Sequence, residues 1–367
     1  MPNQLIYQIA LTLIPGIGDV NAKALLAYCG SPEAVFKEKK SHLIKIPGIG
    51  SIAAKSISKA DVFDRAEDEL QFIEKSKIQP LFFTDSAYPE RLKHCADSPI
   101  LLYFQGNLSF NDCHFISVVG TRSATDIGKE FTEKVVEQLK PYNTCIVSGV
   151  AYGIDVTAHK SALRNDMATV AVVAHGLDRI YPSLHKNVAE EMKANGGVLT
   201  EFATGTKPDR ENFPKRNRIV AGLSEATIVV EAAKKGGALI TAELASSYNR
   251  DVFAVPGRLT DKYSEGCNHL IKTNQASLIQ SAKDIEYLLG WQSPNSAKKK
   301  TVQKPMFVDL NPEEVALVNL IQENQPIQLD LLAMKLNWPV SKVFPVLTIL
   351  ELKGVVRGQP GRVFELI

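Results

Sequence analysis

Residues 80–289 predict an α/β fold built on a doubly wound, mainly parallel sheet, and three observations carry that prediction. Short apolar, β-rich runs alternate with helical stretches, which is the pattern of βαβ units. The runs are apolar on both faces, as strands covered by helices on either side must be. The chain has 367 residues, 45% hydrophobic and 22% charged, which suits two or three packed domains and excludes a disordered or fibrous chain.

In order, the strands are expected at 80–84, 100–104, 114–119, 144–148, 169–174, 197–201, 226–231 and 251–255. Helices are expected at 126–140, 154–164, 184–195, 214–223, 238–249 and 281–289. In such a sheet a ligand sits outside the carboxyl ends of the strands. The sheet domain is placed at 76–290.

Residues 1–75 form a separate helical domain built on an internal repeat. Residues 14–26 read IPGIGDVNAKALL and residues 46–57 read IPGIGSIAAKSI. Each copy is a hydrophobe, Pro-Gly-Ile-Gly and a helical stretch with a lysine at one offset. The unit resembles tandem helix-hairpin-helix motifs. Free amides after Gly16-Gly18 and Gly48-Gly50, with Lys23 and Lys55, would hold duplex-DNA phosphates without reading sequence. The other reading is a helical packing or protein-interaction module, because Asp19, Asp61 and Glu67 also lie in the flanks.

Residues 291–306 are rich in Pro, Ser and Lys and read as a linker. Residues 307–367 carry helix-like segments at 311–323, 328–337 and 339–353, then two β-like runs around Gly-Gln-Pro-Gly. That order predicts a winged helix-turn-helix. Its third helix is apolar on most faces with only Lys342 and Lys353 as cations, which favours a protein-contact or regulatory module over a DNA reader.

The net charge of +2 excludes a uniformly basic, histone-like binder but not a local basic patch. The five cysteines, Cys29, Cys95, Cys113, Cys145 and Cys267, are scattered without a C-x-x-C pair. That argues against a zinc or redox site and for reduced thiols in a cytosol. No basic leader and no long apolar run is present, so no signal peptide and no membrane contact are expected, and the expected location is the cytoplasm.

Five loops at the strand ends could carry chemistry. The first holds Gly120, Thr121, Arg122 and Ser123, small residues and one arginine suited to a phosphate. The second holds Gly149 and Gly153, with Asp155 as a cap and His159 more readily a packed residue than a catalyst. The third places Lys207, Arg210, Lys215, Arg216 and Arg218 against Asp209 and Glu211, with Phe213 and Asn217 interleaved. A cationic helix start with an aromatic is the composition of a single-strand groove, and Lys215 and Arg218 share a face at i, i+3. The fourth, Gly236, Gly237 and Thr241, is a second anion cradle, and the fifth carries Arg258. The chain has no H-E-x-x-H, no G-x-S-x-G and no carboxylate cluster for a metal. Cations, amides and hydroxyls hold phosphates but do not attack them, so the loops predict binding of a polyanion rather than catalysis, with no cofactor.

The stretches VVGTR, SGVAYGIDVTAHKSAL, GLDRIYP, FPKRNRIVAGLS, VVEAAKKGGALITA, DVFAVPG and GCNHLIKTNQA, in this order across about 115–280, resemble the DNA-processing protein A family (DprA, also called Smf). The resemblance implies an extended Rossmann-like core that dimerises, binds single-stranded DNA, protects it during natural transformation and loads the RecA recombinase. It implies that Arg122 is the strand-binding arginine, that Lys215, Arg216 and Arg218 sit in the basic motif, and that Gly236–Thr241 form the Gly-rich segment. Two departures stand out: Gly-Gly-Ala replaces a common Ser-Gly-Ser, and Tyr152 replaces a common cation, which weakens the charge there or adds a stacking surface. Two other functions are carried beside it. A nucleotide phosphoribohydrolase on a related fold would use Glu243, and a transcription regulator would act through the winged helix. The expectation to test is a common electropositive trough joining Arg122 to the Phe213–Arg218 helix start.

Overall fold

The computed structural model describes residues 2–291, 310–324, 326–359 and 362–366. The chain divides into two units, 1–291 and 292–367. Apart from Trp291, the expected linker lies outside the described residues.

The first unit carries a nine-stranded sheet: β1 (Gln79–Phe82), β2 (Leu101–Asn107), β3 (His114–Val119), β4 (Thr144–Ser148), β5 (Thr169–Val172), β6 (Gly196–Thr200), β7 (Ala226–Val229), β8 (Asp251–Ala254) and β9 (Ser277–Leu278). The order is β1-β2-β6-β5-β4-β3-β7-β8-β9. From β6 to β9 every pairing is parallel, while β2 runs antiparallel to both β1 and β6. The chain therefore leaves β3 in one direction through β4 to β6 and in the other through β7 to β9. The carboxyl ends of β3 and β7 flank that reversal, where a doubly wound sheet opens a crevice.

Burial on both faces is what made the strands legible. Along β3, Phe115 and Val119 enter one core with Val147, Val172, Ile219 and Val220. Ile116 and Val118 enter the opposite core with Val136, Ile154, Ala158 and Phe253. Beyond shifts of one or two residues at strand ends, two details differ from expectation. Strand β2 continues past its apolar run to Asn107, because Gly106 lies so close to Gly196 of β6 that a Cβ there would strike the Gly196 carbonyl. Strand β9 has only two residues, both exposed, and so carries no apolar signature.

Residues 2–75 are helical, with both Pro-Gly-Ile-Gly turns built alike. Gly16 and Gly48 take φ of +81° and +82°, values that favour glycine. Gly18 and Gly50 are the N-caps of the helices Asp19–Cys29 and Ser51–Ser58. The repeat packs Ile9, Leu25, Ile46, Ile49 and Ile57 into one core with Phe82, Leu101 and Tyr103 of β1 and β2. The helices and the sheet are thus a single packed body.

The second unit is a winged helix. Helices Pro312–Asn324, Leu329–Leu336 and Val340–Leu352 enclose Leu317, Ile321, Leu332, Val343, Leu347 and Leu350. A sheet of β10 (Ile327–Gln328), β11 (Val356–Gln359) and β12 (Val363–Leu366), ordered β10-β12-β11, closes it. Among the described residues no helix is long and apolar enough to cross a membrane.

Candidate functional site

A pocket of about 290 Å³ opens at the topological reversal. The end of β3 contributes Gly120, Thr121 and Arg122, the loop and helix start after β4 contribute Gly149, Ala151 and Asp155, and the loop and helix start after β7 contribute Lys235, Gly236 and Gly237. Helix Asn212–Leu223 supplies Phe213, Arg216, Asn217 and Val220, which recur at helical spacing on one face. Helix Gly237–Ser247 points its N-terminus at the same space, adding oriented amides and the positive end of its dipole.

The two arginines have different surroundings. Arg122 is exposed, and its guanidinium carbon lies 5.4 Å from the centre of the Phe213 ring, a cation–π contact. Arg216 is 5% exposed. It donates from Nη1 to the Val172 carbonyl at 2.8 Å, directly under Gly149, where any Cβ would collide with the guanidinium. Burial pulls the Arg216 pKa down, Asp155 opposes the shift and Arg122 adds to it. Burial raises Asp155, against Arg216 and the amides of Ala151 and Gly149; the Gly149 amide donates to its Oδ2 at 3.1 Å. Arg216 is therefore the charged floor of the pocket and Arg122 its exposed rim.

Asn217 donates to the Gly237 carbonyl at 3.4 Å, and the buried Thr241 hydroxyl donates to the same carbonyl at 3.1 Å. These contacts tie the basic helix to the Gly-rich loop. Ser123 and Lys207 are outside the pocket lining, Ser123 being exposed.

The expected trough is divided by the helix itself. Lys215 is exposed and lies outside the pocket lining, with its charge acting on Glu201. Arg218 turns the same way and is committed to the protein. It pairs with Asp19 at 3.0 Å, with Glu201, and with the Asp97 carbonyl. The face shared by Lys215 and Arg218 is thus real, but it is the face opposite Arg122. Arg216, between them in sequence, is the one that reaches the pocket.

Burial pushes Glu201 from its usual 4.5 up to about 7, with Arg218 opposing and Asp19 adding to the rise. A carboxyl whose pKa rises on folding stabilises the fold while protonated, so this contribution is present below about 4.5 and lost as pH climbs through about 7. Urea unfolding of wild type and Glu201→Gln across that interval is expected to differ by this falling component, on which the opposite, rising contribution of the buried His159 is superimposed in both proteins. An unchanged slope in the variant would assign the dependence to another group.

His159 is fully buried, with Nδ1 donating to the Thr169 hydroxyl at 2.7 Å. Burial drives its pKa down to about 3, so it is a neutral packing residue. Glu243 is exposed and outside the pocket lining, so it is not placed to act on a bound nucleotide.

At the repeat, Gly16, Gly18, Gly48, Gly50 and Lys55 are exposed. Lys23 is not available in the same way. It donates to the Ser98 hydroxyl at 2.6 Å and the Ala96 carbonyl at 3.1 Å, sits 4.7 Å from the Phe83 ring centre, and burial lowers its pKa. One of the paired lysines therefore fastens the helices to the sheet.

Sequence reasoning passed over Lys235 and Tyr181. Lys235 was legible as the residue before the glycine pair. Tyr181, its ring 6.3 Å from that of Phe213, lies 32 positions earlier in the chain (213 − 181), and only the fold brings the two together.

Residues 79–290 match the family described as DNA recombination-mediator protein A, residues 305–362 the DprA winged helix domain and residues 9–60 a SAM-like helix-hairpin-helix tandem. Protein Smf of Synechocystis sp. is 32% identical over 393 aligned residues, covering 98% of each chain. DNA processing protein DprA of Streptococcus pneumoniae is 41% identical over 212 residues, 58% of this chain and 74% of that one. The X-ray structure of the Streptococcus pneumoniae protein superposes with a TM-score of 0.67 at 34% identity, covering 78% of this chain and 97% of the other. A structure of DNA processing protein A from Helicobacter pylori, concerned with its single-stranded DNA binding mode, gives 0.53 at 30% identity, covering 58% and 95%.

Proposed function

The chain belongs to the DNA recombination-mediator protein A (DprA/Smf) family, whose members are DNA-binding mediators rather than enzymes, and from that premise we propose that it binds single-stranded DNA without sequence preference in the pocket at the β3–β7 reversal. The observation that carries this reading is the convergence there of Arg122, Arg216, Lys235, Phe213 and the exposed Gly236-Gly237 backbone. Cations and amides hold phosphates and an aromatic ring accepts any base, so binding through this set needs no particular base sequence.

The same reading has the bound strand protected and passed to the RecA recombinase by a homodimer in the cytoplasm, in natural transformation and homologous recombination. The winged helix then serves as a protein-contact module. Its third-helix cations are engaged by acids, Lys342 with Glu313 and Lys353 with Glu314, both at 2.7 Å. Phe344, Ile349 and Leu352 of that helix are exposed instead, which supports a partner of protein rather than DNA.

Fluorescence anisotropy with matched single- and double-stranded oligonucleotides across a salt series tests the proposal. Single strands are expected to bind more tightly, irrespective of sequence, with log affinity falling by about 0.7 per neutralised phosphate for each decade of salt. Equal or tighter binding of the duplex, or affinity indifferent to salt, would overturn it.

A further inference from the structure

We propose that bases of the bound strand stack on an exposed aromatic shelf, Tyr152 and Tyr181, flanking the Arg122 loop; this rests on the single-strand reading above and names how that site tells unpaired from paired DNA. Two large rings stand in solvent here, Tyr152 at 44% and Tyr181 at 47% exposure. Both are held by the fold. Tyr152 meets the ring of His185 edge-on at 5.0 Å, and His185 is buried with Nδ1 donating to the Val150 carbonyl at 2.7 Å. Tyr181 leans on Phe213, which carries the Arg122 guanidinium. The short segment from Tyr181 to His185 therefore supports both rings, and its Leu184, 76% exposed, widens the apolar surface.

The position of Tyr152 links the shelf to the phosphate site. Ala151 before it lines the pocket. Gly153 after it, at φ +77°, lies so close to the Thr121 and Arg122 backbone that a Cβ would collide with both. The backbone on either side of Tyr152 is thus set against the pocket and the Arg122 loop. Rings fixed next to cations suit an unpaired strand, whose phosphates meet the cations while its base faces meet the rings. In a duplex those faces are hidden in the stack, so the shelf rewards only the single strand. The ring faces meet bases, and the Tyr152→Phe/Tyr181→Phe variant separates that contact from any hydrogen bond of the hydroxyls to phosphate.

The test measures anisotropy of the full chain with a thymidine oligonucleotide and with an abasic oligonucleotide of equal length and charge. Wild type is expected to bind the abasic strand more weakly by about tenfold or more per stacked base removed. The Tyr152→Ala/Tyr181→Ala variant is expected to lose thymidine affinity towards the abasic level and to bind the abasic strand like wild type. Tyr152→Phe/Tyr181→Phe, which keeps both rings, is expected to retain the thymidine preference. An alanine variant that keeps wild-type thymidine affinity, or weakens equally on both strands, overturns the shelf while the single-strand reading stands. Wild type that binds neither strand overturns both.

Discussion

Arg122→Glu is expected to weaken binding of an unpaired oligonucleotide by about a hundredfold, since one charge-assisted hydrogen bond disappears and a new repulsion takes its place. Its melting temperature is expected to match wild type. The residue is exposed and its guanidinium rests against the Phe213 ring at 5.4 Å, so no buried group is left unpaired when the cation goes. The salt slope should also become shallower, by about 0.7 for each phosphate that is no longer neutralised. Lys215→Glu is the internal comparison. It lies two residues beyond Phe213 but on the Glu201 side of the helix, and a weakening of only a few-fold is expected. Anisotropy on the two purified variants distinguishes the two faces. Equal weakening would move the strand's path to the Glu201 side and leave the pocket without its assigned ligand.

That comparison also marks where sequence reading runs out. The sheet was legible because β3 to β8 are buried on both faces and therefore apolar almost without interruption. The paired Pro-Gly-Ile-Gly turns were legible because a repeated left-handed position leaves a repeated glycine. The loops of the site were legible as glycines and cations after buried strands. Composition does not say which cations face one another. Lys215, Arg216 and Arg218 are three neighbouring charges in sequence, yet a helix turns by about 100° per residue and sends them to different places. Arg216 goes under Gly149 as the pocket floor, while Arg218 goes to acids that lie 199 and 17 residues away. Lys23 escaped for the same reason, since its acceptors belong to the segment around Ser98. A charge looks solvated in a sequence until its long-range partner is known.

Arg218→Ala is expected to destabilise the first unit by about 3–5 kcal/mol, the range for removing one partner from a buried ionic cluster. Its side chain is 13% exposed and bridges Asp19 of the helical repeat, Glu201 at the end of β6 and the Asp97 carbonyl. Burial alone would depress its pKa, but Glu201, Asp19 and Asp97 outweigh that and raise it. The arginine is therefore charged and holds the repeat against the sheet. Removing it leaves two partly or wholly desolvated carboxylates facing each other. Arg218→Lys keeps the charge but not the planar fork that serves several acceptors at once, so only part of the stability should return. Adding Glu201→Gln to Arg218→Ala should restore some of the stability at a pH high enough to ionise Glu201, because one of the orphaned acids is then neutral. Urea midpoints of wild type and the three variants measure this. Oligonucleotide affinity, read under conditions where each variant is folded, is expected to stay near wild type, since Arg218 lies outside the pocket lining. A variant with wild-type stability and abolished binding would reverse the assignment and return Arg218 to the strand-contacting residues.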